Sequence, residues 1–320
     1  MELDQSLLPG ARKAVFDCLW AKPGETLLIV TDEQMSFLAS HFVKSGREGG
    51  VETLMLEMAP RKMHGEEPPA IIGAALLAAN CALLITAFSL THTKARGEAT
   101  KAGVRIASMP GVTAEMIRGP LNTDYTEIKR LSEKVAELLT QAKEAVIRSA
   151  KGTNLTLNLS ERKALADTGL LHHPGAIGNL PAGEGFIAPQ EGQGSGKVVI
   201  DGTMAGVGRL KNDIILAVEN GKITNISGGE EAKALEKILS GADENAFCIA
   251  ELGVGTNKEA QLSGNLLIDE KVYGTVHLAV GNNLFMGGAQ NSKVHLDGVI
   301  LEPTLILDGQ TVIDQGRYVF

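Results

Sequence analysis

The chain has 320 residues, 44% of them apolar and only 4% aromatic, with a formal net charge of −8 at pH 7. That length is long for one domain and comfortable for two. The acidic balance and the lack of any basic cluster argue against nucleic acid or anionic membranes as partners. Cys18, Cys81 and Cys248 show no CxxC spacing and sit among apolar residues, as small core residues do in a reducing compartment. No apolar run reaches the roughly 18 residues that span a bilayer. The acidic start MELDQSLLPG does not read as a signal peptide. The expected location is the cytoplasm.

The first third alternates between two periods. GETLLIVTD (Gly24–Asp32) is a short apolar run that predicts a buried strand, and Gln34–Gly46 has helical spacing through Phe37, Leu38, His41 and Phe42. VETLMLEM (Val51–Met58) is strand-like, and the Ala-rich stretch Pro68–Ala79 is helical. CALLITAF (Cys81–Phe88) is a strand, His92–Ala102 a helix ended by Gly103, and VRIASMPG (Val104–Gly111) a fourth strand. Strands separated by such helices imply parallel pairing through crossovers. Residues 1–124 therefore read as an open parallel α/β domain of the Rossmann or flavodoxin kind. Tyr125–Lys151 is expected to be one amphipathic bridging helix, with Ile128, Leu131, Val135, Leu138, Leu139 and Val146 on its apolar side.

After Lys151 strands shorten, and glycine and asparagine become frequent. Glu219-Asn220-Gly221 joins two alternating strands, a strong hairpin signal. Glu230–Leu239 is a helix, and the rest reads as antiparallel strands. Residues 152–320 are thus expected to form a mainly antiparallel, β-rich domain. EGQGSGKV (Glu191–Val198) superficially resembles a phosphate loop. It lacks the first glycine at that spacing and has Val198 where Ser or Thr is required, so it reads as a β-connection. The first strand runs into TDEQMS without a GxGxxG.

Acid and imidazole groups concentrate in four segments of the second domain. GNLPAGE carries Glu184, AELGVGTN carries Glu251, GTVHLAVG carries His277, and VHLDG carries His295 and Asp297. In a strand, residues i and i+2 project to the same face, so His295 and Asp297 stand side by side. Buried polar groups there must be satisfied or they cost several kcal/mol. A hydrogen-bonded His–carboxylate pair satisfies that need, and so does a metal ion. Two histidines with three carboxylates suit zinc, manganese, cobalt or ferrous iron better than calcium. His172 and His173, in LLHHPG, are candidates for contact with substrate, or simply a solvated turn. His41, His64 and His92 read as surface or packing residues of the first domain.

Taken together, NLPAGE, AELGVGTN, DEKVYGTVHLAVG and GGAQNSKVHLDG resemble the thermophilic-type metallo-aminopeptidases, the family of aminopeptidases T and S, over the whole second half. The resemblance implies a homodimeric hydrolase that removes N-terminal residues from small peptides. It implies two divalent ions, zinc, cobalt or manganese, held by Glu184, Glu251, His277, His295 and Asp297. Glu184 or Glu251 would then double as general base toward metal-bound water. The family's tyrosine seven residues after the first histidine falls on Leu284, which can neither ligate a metal nor donate a hydrogen bond.

A related branch resembles the 2,5-dihydroxypyridine ring-cleaving dioxygenases. There His277, His295 and Asp297 would hold one ferrous iron as a two-histidine, one-carboxylate set. Leu284 favours this branch, whereas retention of both Glu184 and Glu251 favours the hydrolase. A non-catalytic binding protein with a decayed site is the third possibility.

Overall fold

The computed structural model describes residues 3–320. The chain divides into two compact units, residues 1–127 with 169–182, and residues 128–168 with 183–320. Among the described residues, no helix is long and apolar enough to cross a membrane.

The first unit is built on a five-stranded, all-parallel sheet. Its strands run in the order Glu52–Met58, Thr26–Asp32, Cys81–Ile85, Arg105–Ser108 and Ile177–Asn179. The interior strands are mainly apolar, with polar residues only toward their ends, because helices cover both faces of such a sheet. Every residue of Cys81–Ile85 is buried, and Leu28, Val30, Leu84 and Ile106 join Ile72 and Leu76 in one core. The parallel α/β expectation holds for the first four strands. The fifth, Ile177–Asn179, comes from the region assigned to the β-rich half. It is three residues long and pairs with Arg105–Ser108 through Ile106 and Ile177.

The second unit holds two antiparallel sheets. One has eight strands, in the order Lys222–Gly228, Ile214–Glu219, Ser195–Ile200, Asn154–Asn158, Glu144–Arg148, Thr304–Leu307, Gln310–Asp314 and Arg317–Tyr318. The other has seven, in the order Gly208–Arg209, Thr203–Met204, His295–Ile300, Val276–Gly281, Ile249–Gly255, Glu184–Ile187 and Leu165–Asp167. The hairpin through Asn220-Gly221 is present, with both residues at positive φ. The long helix stops at Gln141, and Glu144–Arg148 is a strand. Val146, read as the helix's last apolar residue, instead pairs with Ile306 and Thr156.

Alternation sorts the seven-stranded sheet into two faces. Leu252, Val254, Val276, Leu278, Val280 and Ile300 lie in one core with Leu155, Leu157, Val198 and Leu216 of the other sheet and with Val135 and Leu139 of the helix. Gly298 and Gly185 sit on that same face. A Cβ on Gly298 would stand 2.8 Å from Ile200, and one on Gly185 2.7 Å from Val135, so both are places of close packing. The opposite face carries the polar groups.

Candidate metal centre

Residues directly opposite one another in an antiparallel ladder share a face. His277 stands opposite Gly253 and Val299, Asp297 opposite Ala279, His295 opposite Gly281, Glu251 opposite Ala279, and Glu184 opposite Gly255. Register alone therefore gathers all five predicted ligands on one face of four adjacent strands. The residues between them are small, which leaves room for side chains to lie over backbone. A Cβ on Gly253 would fall 1.9 Å from His277 Nε2.

The five side chains converge around the Glu251 carboxylate. Its Oε1 is 3.4 Å from His277 Nε2, and its Oε2 is 3.2 Å from His295 Nε2. His277 Nε2 is also 3.2 Å from Glu184 Oε2, and His295 Nε2 is 3.5 Å from Asp297 Oδ1. Two triads result, Glu184–Glu251–His277 and Glu251–His295–Asp297, each with ligand atoms within 4.8 Å of one another. Glu184, Glu251, His277 and Asp297 are buried, while His295 is partly open to solvent.

The donor set fits a cation. Glu184 Oε2 is buried and makes no hydrogen bond, with His277 Nε2 3.2 Å away, so positive charge within the cluster stabilises it. His295 Nδ1 lies 2.7 Å from the Asn282 carbonyl. A proton there is donated to that carbonyl, which leaves the Nε2 lone pair facing Glu251 and Asp297.

Burial disfavours charge on Glu184, Glu251, His277 and His295, yet their partners override it. His277 and Lys271 hold Glu184 below the ordinary carboxyl range despite its burial, and His277 with His295 do the same for Glu251. Burial works against a proton on either imidazole, but Glu184 and Glu251 raise His277, and Asp297 with Glu251 raise His295. Without an ion, the carboxylates favour protons on the imidazoles. A bound cation would displace those protons.

Two groups at this site carried no role in the sequence reading. Lys271 is 1% exposed, and its Nζ donates to Glu184 Oε1 at 2.5 Å and to Glu270 Oε1 at 2.6 Å, with Asp167 Oδ2 at 3.8 Å. Burial, with the charges of Glu184 and Asp297 adding to it, pushes the Glu270 carboxyl up to about 8, against the opposing pull of Lys271. Asp269 anchors this stretch by accepting from Thr203 Oγ1, Ser263 N and Gly264 N. The available signal was three consecutive charges, Asp269-Glu270-Lys271, running into an apolar strand. His172 engages the first unit, with Nε2 2.7 Å from the Asp17 carbonyl and its ring stacked on Trp20. His173 is exposed in the same unit, and its carbonyl accepts from Ala176 N. Leu284 is exposed in a short 3-10 turn beside the site, and the neighbouring Phe285 ring stands edge-on to His295, 5.4 Å away.

A family model described as NicX, 2,5-dihydroxypyridine 5,6-dioxygenase, matches residues 10–320. The chain belongs to this family. Among curated relatives of this NicX-family chain is 2,5-dihydroxypyridine 5,6-dioxygenase of Pseudomonas putida KT2440, 28% identical over 258 residues, 74% of this chain and 71% of the relative. Aminopeptidase AmpS of Bacillus subtilis strain 168 is 25% identical over 223 residues, 63% of this chain and 54% of AmpS. The fold is shared with the solved 2,5-dihydroxypyridine dioxygenase of Pseudomonas putida KT2440, with TM-score 0.83, 20% identity, and coverage of 99% and 98% of the two chains. It is also shared with AmpT of Thermus thermophilus, with TM-score 0.77, 18% identity and 99% of each chain covered. The motifs thus pointed to the correct superfamily. Within it, the family model and the P. putida relative favour the dioxygenase branch over the peptidase branch that the sequence reading placed first.

Proposed function

We propose that this protein is a ferrous-iron dioxygenase that opens a dihydroxylated pyridine-type ring, with both atoms of dioxygen entering the product. The observation that carries this reading is the donor set on one sheet face, His277, His295 and Asp297, in a chain matched by the NicX model. Two imidazoles and one carboxylate are the donors of non-haem iron oxygenases. A ferrous ion held there would supply the open coordination positions and the electrons that allow dioxygen to react with a hydroxylated ring.

The chain's own residues have separable tasks. His295 is oriented by the Asn282 carbonyl, and His277 lies in the space that Gly253 leaves over its backbone. Glu251, between the two imidazoles, takes the proton from a ring hydroxyl as the ring binds. Phe285, edge-on to His295 and 6.4 Å from the Phe186 ring, gives the site an aromatic flank suited to a flat ring.

A second reading, the two-ion peptidase, draws support from the two triads that share Glu251. Oxygen-electrode measurements separate the two. Protein reconstituted anaerobically with iron(II) should consume one dioxygen per 2,5-dihydroxypyridine, and His295→Ala and Asp297→Ala should abolish the uptake. Release of leucine from leucine amide by protein loaded with zinc, cobalt or manganese, without oxygen uptake on the ring, would support the peptidase instead.

A further inference from the structure

The two triads raise the question of how many ions the site takes. Both could be filled if Glu184 were free to bind metal, since Glu184, Glu251 and His277 converge as closely as Glu251, His295 and Asp297. Glu184 is not free. Its Oε1 accepts from Lys271 Nζ at 2.5 Å, and that ammonium is 1% exposed and enclosed by Glu270 and Asp167 as well.

We propose that Lys271 is a built-in substitute for a second metal ion, whose ammonium occupies the Glu184 side of the cluster and restricts the site to one divalent cation. This rests on the one-iron reading and deepens it.

The arrangement has the features such a substitution requires. The lysine arrives on a fixed backbone. Its carbonyl accepts from Asn257 N, and the preceding Asp269 is tied by hydrogen bonds to Thr203, Ser263 and Gly264. Backbone of Lys271 and Val272 packs over Gly255, where a Cβ would stand 2.1 Å from the Val272 carbonyl oxygen, so the chain cannot be moved aside cheaply. An ammonium is a compact point charge with three donors, and here its neighbours are all carboxylates. A divalent ion at Glu184 would be placed beside that fixed positive charge in a buried, weakly screened setting, so its binding there is opposed. Among the described residues, no lysine or arginine pairs with the side of Glu251 that faces His295 and Asp297, and it stays available.

Metal counting tests this without any assay of turnover. Wild type and Lys271→Met would be saturated with manganese(II), desalted and analysed for metal per chain, and the manganese paramagnetic resonance spectrum recorded. Wild type should hold one ion with an uncoupled spectrum. Folded Lys271→Met, its circular dichroism matching wild type, should hold two and show the coupled signal of a carboxylate-bridged pair.

Two ions in wild type would overturn the proposal, as would one or none in folded Lys271→Met. Should that variant not fold, Glu184→Gln decides. Its amide can still accept from Lys271, and it should keep one ion with affinity within about fivefold of wild type; loss of the ion would overturn the proposal. A wild-type count of two sinks the role of Lys271 whatever the reaction is. A count of one without oxygen uptake on the ring sinks the dioxygenase reading and leaves Lys271 in place.

Discussion

Gly253 stands opposite His277 in the antiparallel register, and a Cβ there would lie 1.9 Å from His277 Nε2. The imidazole thus lies flat over the neighbouring strand, in space that exists only because residue 253 has no side chain. Gly253→Ala should displace the ring and weaken manganese(II) binding by about 10–100-fold, the range typical when the orientation of a ligand is disturbed. Calorimetric titration checks this, with circular dichroism reporting that the sheets persist. Unchanged affinity would show that His277 does not need this position to serve the ion.

A contrasting glycine lies far from any crowding. Gly97 is inside the helix Lys94–Lys101, and an added Cβ would meet nothing within 4 Å. Gly97→Ala should stabilise the protein by about 0.5–1 kcal/mol, since alanine loses less backbone freedom in a helix. Urea unfolding measures it, and a loss of stability would contradict the helical geometry at that position.

Much of this architecture could be read from the chain, for identifiable reasons. Cys81–Ile85 was legible because a strand buried on both faces is a continuous apolar run. The five candidate ligands could be singled out because they lie in or at the ends of apolar strands, where polar groups need an explanation. The end of the long helix was not, because Val146 continues the helical spacing of Leu138 and Leu139 although it belongs to the strand Glu144–Arg148. The strand Ile177–Asn179 offers three residues, one of them glycine, too few for a period to show. Lys271 was quoted within a motif but given no role, because its partner Glu184 lies 87 residues earlier and only the folded sheet brings them together.

The ion pair between Arg105 and Glu25 should make stability depend on pH. Burial opposes charge on Glu25, but Arg105, at 2.7 Å, holds its carboxyl below the ordinary glutamate value. A lowered carboxyl contributes stability that is present above the unfolded-state value and lost as pH falls through the folded one. Arg105→Met should therefore cost about 2 kcal/mol near pH 7. The cost should shrink in acid, once pH has fallen through the folded value and the carboxylate is protonated in both states. Denaturant unfolding near neutrality and in acid checks this, and an equal cost at both would show that the contacts of Arg105 with the Leu19 and Trp20 carbonyls dominate.

The thiols should differ in reactivity. Cys81 is fully buried, and that burial pushes its thiol up to about 12. Cys18 is also buried, whereas Cys248 is partly open. At pH 8 the native protein should react with a disulfide reagent at Cys248 alone, and all three should react in denaturant. Peptide mapping identifies the sites, and rapid native labelling of Cys81 would contradict its position in the central strand.

The central claim is that one iron on this sheet face brings dioxygen and a dihydroxylated ring together. Mass spectrometry of the product formed from 2,5-dihydroxypyridine under 18O-labelled dioxygen, by protein carrying one iron per chain, tests it most directly. The expected result is a ring-opened product heavier by two labelled oxygen atoms, and its absence with His295→Ala. An unaltered ring, or a product whose oxygen comes only from water, would contradict the account.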